Sequence, residues 1–129
     1  MLNNKGQTLV LFVVVLPILI LMLLLVIDVG KIIVLKQELN NISDIALDYG
    51  LDNIDNNNIV LELEELIKLN KKDIDKIDIK IENDKIYVNL VEKSDGIFSS
   101  FINMSVFNVS ASYVGYMEEN EKRIEKVGD

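Results

Sequence analysis

Acidic side chains are the main supply of chemically active groups in this chain. The sequence has 21 of them and neither cysteine nor histidine, which excludes thiolate and imidazole metal sites, disulfides, cysteine nucleophiles and histidine-dependent triads. Three acidic clusters could in principle offer hard oxygen ligands to calcium. They are Asp52 with Asp55, Glu62 with Glu64 and Glu65, and Asp73 with Asp75 and Asp78. The last has no glycine at the sixth position of an EF-hand loop, so we favour a solvated acidic surface.

Other catalytic arrangements are not indicated by the sequence. It contains no nucleophile elbow, phosphate-binding loop or dinucleotide fingerprint, and a carboxylate pair for glycoside hydrolysis is available in any chain this acidic. A formal charge of -8 with one arginine gives no electrostatic footprint for nucleic acid. We therefore expect a protein that is not an enzyme, holds no metal or cofactor and binds no nucleic acid.

The apolar residues are concentrated near the N-terminus, where Leu9–Ile27 is an uninterrupted block of 19 positions. At helical rise the block covers about 28 Å, close to the hydrocarbon thickness of a bilayer. Pro17 removes one backbone donor, which a membrane helix tolerates as a kink. A cleaved signal peptide is the alternative, but the block is too long and no small-x-small site follows it. The sequence predicts a transmembrane helix over residues 7–27, with membrane lipid as a partner.

The orientation of this helix is inferred from what lies on either side of it. Basic residues do not decide it, since Lys5 precedes the block while Lys31 and Lys36 follow it. All but one of the 13 basic and all 21 acidic side chains follow residue 27, whereas the leader, residues 1–6, is short enough to stay in the cytoplasm. We expect a single-pass protein of the cell membrane with its C-terminal part outside the cytoplasm.

Beyond the block the apolar residues recur at the three- and four-residue spacing of one helix face. They are Ile32, Leu35, Leu39, Ile42, Ala46 and Tyr49. This stripe predicts an amphipathic extension over residues 28–50, continuous with the membrane helix, in a rod of about 60 Å. The stripe can pack on the chain's own C-terminal domain or on a partner, and its distal half favours the former. Gly50 is the predicted stop.

Four short motifs stand in the first fifty residues. They are Lys5-Gly6-Gln7 before the apolar block, Leu16-Pro17 within it, Asp28-Val29-Gly30-Lys31 at its end, and Asn40-Asn41-Ile42-Ser43-Asp44-Ile45-Ala46-Leu47 one helical length further on. In this order and at these separations they resemble the N-terminal region of TadE/TadG-like proteins of tight-adherence (Flp) pilus systems. The resemblance covers residues 5–50.

The resemblance implies a non-enzymatic, pilin-like component of pilus assembly whose partners are other pilus or Tad-system subunits. The predicted helix-packing residues are Leu9, Phe12, Leu16, Pro17, Ile32, Leu35, Leu39 and Ile42. Asp28, Gly30 and Asp44 are the family-motif positions. Plainer roles stay open for two of them, since Asp28 can pair weakly with Lys31 along the helix and Asp44 can be simply solvated.

A possible processing site lies at Gly6 and Gln7. Related type IV pilins are cut after a glycine by a prepilin peptidase and usually carry glutamate five residues later, where this chain has Leu11. Two alternatives therefore stay open. One is a processed subunit that enters the filament, with the peptidase as a partner. The other is an unprocessed component that stays in the membrane.

The C-terminal part predicts an α+β domain over residues 51–117. Asn58 is the predicted cap of a second helix, whose core side chains are Ile59, Leu63, Leu66 and Ile67. Strict alternation on both sides of Asn83-Asp84 predicts a β-hairpin. Its inner face is Ile77, Ile79, Ile81, Ile86, Val88 and Leu90. One or two helical turns at Ile97–Ile102 and a third strand over residues 105–117 follow, and the charged tail 118–129 is expected to fray.

Together these elements predict a long transmembrane helix that continues into an amphipathic helix and packs with a small antiparallel sheet, in a pilin-like α+β fold. The alternative function is a membrane-tethered extracytoplasmic binding module unrelated to pili. Its domain would work alone when cut free after Gly50.

Overall fold

One helix, α1, carries both the apolar block and the periodic segment after it. It spans Asn4–Asp52, 49 residues, and runs through Pro17 without a break. An apolar block in lipid pairs its backbone groups best as a helix, and the amphipathic stripe extends the same helix into the domain. Gly50, the predicted stop, lies within the last turn of α1, and the helix continues to Asp52. The Asn53 side chain donates to the Tyr49 carbonyl at 3.0 Å where the helix stops.

The computed structural model describes residues 4–101 and 107–127, with Ser99 described only by its backbone. In these ranges α1 is followed by α2 (Ile59–Asn70), β1 (Lys76–Glu82), β2 (Lys85–Ser94), α3 (Ile97–Phe101), β3 (Phe107–Glu118) and β4 (Glu121–Lys126). The predicted α+β class, with a long N-terminal helix and a small antiparallel sheet, is confirmed.

The four strands form an antiparallel meander in the order β1-β2-β3-β4. In the first hairpin Glu82 is opposite Lys85, and the two residues between them, Asn83 and Asp84, have φ of 53° and 63°. Two successive left-handed residues make the type I′ turn that suits a right-twisted hairpin. The predicted hairpin is therefore confirmed, and β2 extends three residues past its predicted end at Val91.

The core lies between the sheet and the two longer helices, which cover one sheet face. Its buried side chains are Leu35, Leu39, Ile42, Ala46, Leu47 and Leu51 of α1, Ile59, Leu63 and Ile67 around α2, and Ile86, Val88, Leu90, Val109 and Ala111 of the sheet. A Cβ at Gly115 would lie 3.2 Å from Leu47 Cδ2 and 3.3 Å from Leu51 Cδ1. The end of α1 thus rests directly on β3.

Several predicted details differ from the structure. The Asn58 side chain makes no cap hydrogen bond; instead its backbone N–H donates to Asn56 Oδ1 at 3.0 Å. Ile81 stays exposed because it lies on the edge strand β1, beyond the cover of the helices. Tyr49 also turns outward, and its hydroxyl donates to Glu62 Oε2 at 3.0 Å.

The expectation that the tail frays is wrong for Glu121–Lys126, which form β4 against β3. A second two-residue turn, Glu119 and Asn120 with φ of 51° and 66°, starts this strand. Its charged residues hid it in the sequence, because an edge strand with one solvated face needs few apolar side chains. The predicted helical residue Ile102 and the predicted strand start at residue 105 lie outside the described residues.

Candidate assembly interface

The apolar block of α1, Leu9–Ile27, exposes most of its side chains. Leu9, Phe12, Leu16 and Pro17 are all exposed, and the most apolar 18-residue window of the helix has no buried residue. Among the described residues, α1 is the one helix long and apolar enough to cross a membrane by length and composition. This fits a single-pass membrane protein.

The exposed apolar surface does not stop with the block. Val29, Ile33 and Val34 are also about half exposed, so the outward strip runs from Leu9 to Val34. At helical rise that is about 38 Å, longer than the roughly 30 Å of bilayer hydrocarbon. The outward position of Val29, Ile33 and Val34 was not predicted from the sequence. A signal was available in Ile32-Ile33-Val34, because three consecutive apolar residues cannot all face one side of a helix.

The stripe Ile32, Leu35, Leu39 and Ile42 is used by the chain itself. The last three are buried in the core and Ile32 packs against it. Of the two alternatives for the stripe, the structure has packing on the chain's own domain from Ile32 to Ala46, whereas Tyr49 at its end turns outward. The predicted helix-packing residues thus separate into an internal set beyond the membrane and an outward set, Leu9, Phe12, Leu16 and Pro17.

Asp28 joins the end of the apolar block to α3. Its carboxylate is 4% exposed, and it accepts the backbone N–H groups of Ile97 at Oδ1 and Phe98 at Oδ2, both at 2.7 Å. Two charge-assisted hydrogen bonds offset the cost of burying the charge. These two donors lie 69 and 70 residues away in the sequence, so the structure gives Asp28 a contact that neither an assembly role nor the alternative of weak pairing with Lys31 included.

The other motif residues lie on the surface. Gly6 and Gln7 are exposed in the first turn of α1, and Asp44 is exposed on the extension. A Cβ added at Gly30 or at Gly6 would meet no atom within 4 Å. Nothing in the packing of residues 4–101 and 107–127 therefore requires glycine at position 30.

A groove of about 430 Å³ lies beside Gly30 between α1, the end of α2 and β2. Lys71 spans it, with its Nζ 3.2 Å from Glu38 Oε2 and 3.5 Å from Glu92 Oε2. Burial raises the pKa of Glu92 and nearby Asp73 and Asp75 add to the rise, while Lys71 opposes it. The pKa of Lys71 is also raised, since its two carboxylate partners together outweigh the effect of burial.

The acidic clusters considered for calcium have other contacts. Asp52 Oδ2 lies 2.8 Å from Lys122 Nζ, Glu62 accepts hydrogen bonds from Tyr49 and Asn56, and Asp75 Oδ2 accepts the Lys93 N–H at 2.7 Å. Within residues 4–101 and 107–127 no three acidic side chains come together in an arrangement that could hold a metal ion.

Comparison with known proteins gives one match. Residues 6–47 match the family model described as TadE-like protein, so the resemblance inferred from the motifs is confirmed over this segment. The matched range holds the exposed apolar block, Asp28, Gly30 and most of the stripe. Neither the search of curated proteins nor that of solved structures found a match.

Proposed function

We propose that this chain, with its TadE-like segment over residues 6–47, is a membrane-anchored, non-enzymatic component of a Tad-type pilus assembly system. The family match supports a Tad pilus-related component from a pilus-associated, non-catalytic family. The finer proposal is a pilin-like subunit, a minor pilin or pseudopilin, that works by packing α1 against helices of other Tad subunits.

The observation that carries this proposal is the length of the exposed apolar strip. Leu9 to Ile27 suffices to cross the hydrocarbon of a bilayer, yet the strip continues over Val29, Ile33 and Val34. Apolar side chains that extend past the lipid gain from cover by another protein surface. A helix of a neighbouring subunit, lying along α1 from the membrane into the first turns beyond it, would cover them.

Gly30 supports the same contact. Glycine inside a helix costs about 1 kcal/mol relative to alanine, and the chain's own packing leaves open space at this position. Small residues let two helices approach closely. We place the closest approach of the partner helix at Gly30, between Val29 and Ile33.

The main test is site-directed photo-crosslinking in the protein's own host. A photoreactive phenylalanine analogue at Phe12 and at Ile33 is expected to capture another Tad-system subunit, because both positions lie on the outward strip. Leu69 is the matched control, since it is a strongly exposed apolar residue on α2, away from the strip. Equal capture at Leu69, or capture of lipid alone at both strip positions, contradicts the proposal.

A second test uses Gly30. Gly30→Ala is expected to leave folding intact and to abolish or sharply reduce the crosslink at Ile33, because the added methyl group lies between the helices. Gln37→Ala is the control, a small change at an exposed residue of the same helix beyond the strip. An unchanged Ile33 crosslink in Gly30→Ala would remove the close approach from the proposal.

Processing and orientation are separate parts of the proposal. Cleavage by a prepilin peptidase predicts a mature N-terminus at Gln7, measured by mass spectrometry of protein from host membranes, and an intact N-terminus assigns the chain to the membrane-resident components. The chain has no cysteine, so single cysteines at Thr8 and Asp84 report orientation, and both positions remain in the chain whether or not it is cut after Gly6. An impermeant maleimide should label Asp84→Cys in intact cells and leave Thr8→Cys unlabelled; the reverse pattern overturns an extracytoplasmic domain.

The binding-module alternative needs a different fragment from the one first expected. A fragment cut after Gly50 would lose Leu35, Leu39, Ile42, Ala46 and Leu47 from the core. A soluble domain that keeps its core must start near Val29. If such a fragment restored pilus formation in a strain lacking the full chain, α1 would be only a tether and helix packing in the membrane would be dispensable.

A further inference from the structure

The short helix α3 is held beside α1 at the height where the apolar block ends. Asp28 is the first residue after Ile27, and its two carboxylate oxygens accept the first two N–H groups of α3. Both bonds measure 2.7 Å and Asp28 is buried, so they hold the start of α3 beside this residue. If the apolar block spans the membrane, its end at Ile27 lies at the membrane surface, and so does the start of α3.

Part of α1 that precedes Asp28 in the sequence is also shielded from solvent. Leu21 and Leu24 are partly buried, whereas the other residues of the block are exposed. These two leucines lie seven and four residues before Asp28 and so share its helix face. That face is therefore covered within the last two turns of the apolar block, at the depth of the lipid itself.

Large exposed apolar side chains lie on α3 and at the start of β3. Phe101 is 74% exposed, and Ile97 and Phe107 are each exposed by more than a third. The sequence carries no charged residue from Gly96 to Met117. Large exposed apolar side chains at this height, beside a membrane span, can enter the boundary between headgroups and acyl chains, as the Phe and Leu side chains of interfacial helices do.

Several polar groups at the start of α3 have partners within the chain. The first N–H groups of a helix ordinarily lack intrahelical partners, and here Asp28 takes two of them. The Ser100 N–H and hydroxyl both donate to the Gly96 carbonyl, at 3.1 and 2.7 Å. A helix start without such partners would be costly in lipid, so the two bonds to Asp28 lower the cost of placing the start of α3 there.

We infer that α3 is a second membrane contact, in which Phe101, Ile97 and Phe107 enter the boundary between headgroups and acyl chains beside α1. With two contacts, the span and α3, the domain has a fixed rotation about the axis of α1. The occupant is lipid because the surface is continuous with the span and lies at its upper end. A protein partner over α3 is the competing outcome.

Tryptophan fluorescence tests this contact, because the chain has no tryptophan of its own. The full-length variants Phe101→Trp, Met117→Trp and Leu19→Trp are placed in phosphatidylethanolamine and phosphatidylglycerol vesicles, with or without bromine on the acyl chains. Bromine near the headgroup end is expected to reduce the Phe101→Trp emission to roughly half, since an interfacial ring contacts that part of the lipid. Ile97→Trp is a second reporter should Phe101→Trp fold poorly.

Met117 is the matched control for height. Gly115, two residues before it on β3, lies against Leu47 and Leu51, which are about 28 to 35 Å beyond Asp28 along α1. Its tryptophan should emit as in water and remain unquenched. Leu19→Trp should be quenched by bromine deeper in the chain, which reports the span independently of α3.

Each result decides the inference. Quenching at Phe101 or Ile97 together with none at Met117 supports it. Water-like, unquenched emission at both α3 positions while Leu19 is quenched overturns it and leaves the anchor in place. Blue-shifted but unquenched emission at these positions also overturns it, in favour of a protein covering α3. Failure to quench Leu19 removes the span itself, and with it both the membrane anchor and this contact.

Discussion

Lys122 on β4 places its Nζ 2.8 Å from Oδ2 of Asp52, in the last turn of α1. Asp48, one helical turn earlier, accepts from the same ammonium at 2.9 Å. These hydrogen bonds raise the pKa of Lys122. The final strand, which carries little apolar surface, is therefore attached to the helix by charge.

Lys122→Gln is expected to loosen β4, because an amide replaces the cation shared by two carboxylates. Hydrogen exchange should quicken at the β4 amides and leave β1 and β2 unchanged. Lys80→Gln is the control, since Lys80 pairs only along its own exposed edge strand with Glu82. Equal changes in the two variants would show that β4 does not depend on this attachment.

Asp28→Ala is expected to lower the free energy of unfolding by about 1–3 kcal/mol, the cost of leaving buried donors without an acceptor. The N–H groups of Ile97 and Phe98 are the donors concerned. Thermal unfolding of the full chain in detergent, followed by circular dichroism, measures the loss. Asp44→Ala, an exposed acid on the same helix, should stay within about 0.5 kcal/mol of the parent. Similar unfolding of both variants would contradict the role of Asp28.

Glu92 is expected to make stability depend on pH. Burial raises its pKa in the fold above the ordinary value of 4.5, so the neutral form stabilises the fold at low pH. That contribution is lost as the pH rises through the raised pKa.

The comparison is between the parent and Glu92→Gln, which cannot ionise. As the pH rises above 4.5, the parent should lose stability relative to the variant, measured as unfolding midpoints in denaturant over a series from acid to neutral pH. Glu65→Gln on the exposed face of α2 is the control and should run parallel to the parent. A constant difference across this range for Glu92→Gln would refute the prediction.

Gly115→Val is expected to destabilise the fold by about 1–3 kcal/mol, the usual cost of overpacking a core. Even the first added carbon would lie 3.2 Å from Leu47 Cδ2 and 3.3 Å from Leu47 Cβ, close to the helix backbone. Denaturant unfolding measures the change. Gly30→Ala, with open space around it, should instead be neutral or stabilising by up to about 1 kcal/mol. Tolerance of valine at 115 would mean that α1 moves away from β3 readily.

Patterns local to the sequence predicted most of the fold. The alternation around Asn83 and Asp84 specified a hairpin because turn and inner face lie within a few residues of each other. The stripe from Ile32 onward likewise specified a helix with one buried face. Strand β4 was missed because Ile124 is its one described side chain packed on the core, which leaves no apolar alternation to detect. A local signal was present in Glu119 and Asn120, which form the same kind of left-handed two-residue turn as Asn83 and Asp84.

The interface was predictable only in part. Leu9 to Ile27 was evident from composition, and the TadE-like match covers it. The bonds from Asp28 to Ile97 and Phe98 join residues about seventy positions apart, and no periodicity or local motif encodes such a distant hydrogen bond. Whether the stripe served the chain or a partner also required the tertiary packing, because both uses need the same apolar face.

The continuity of α1 also has a mechanical meaning. Helix α1 runs without interruption from Asn4 through the apolar block and supplies six core side chains of the domain. The anchor and the domain are therefore joined by one continuous helix, with no hinge between them. A pull or twist applied to the helix in the membrane would load the contacts under the sheet at once, and the domain would turn with its anchor as one piece.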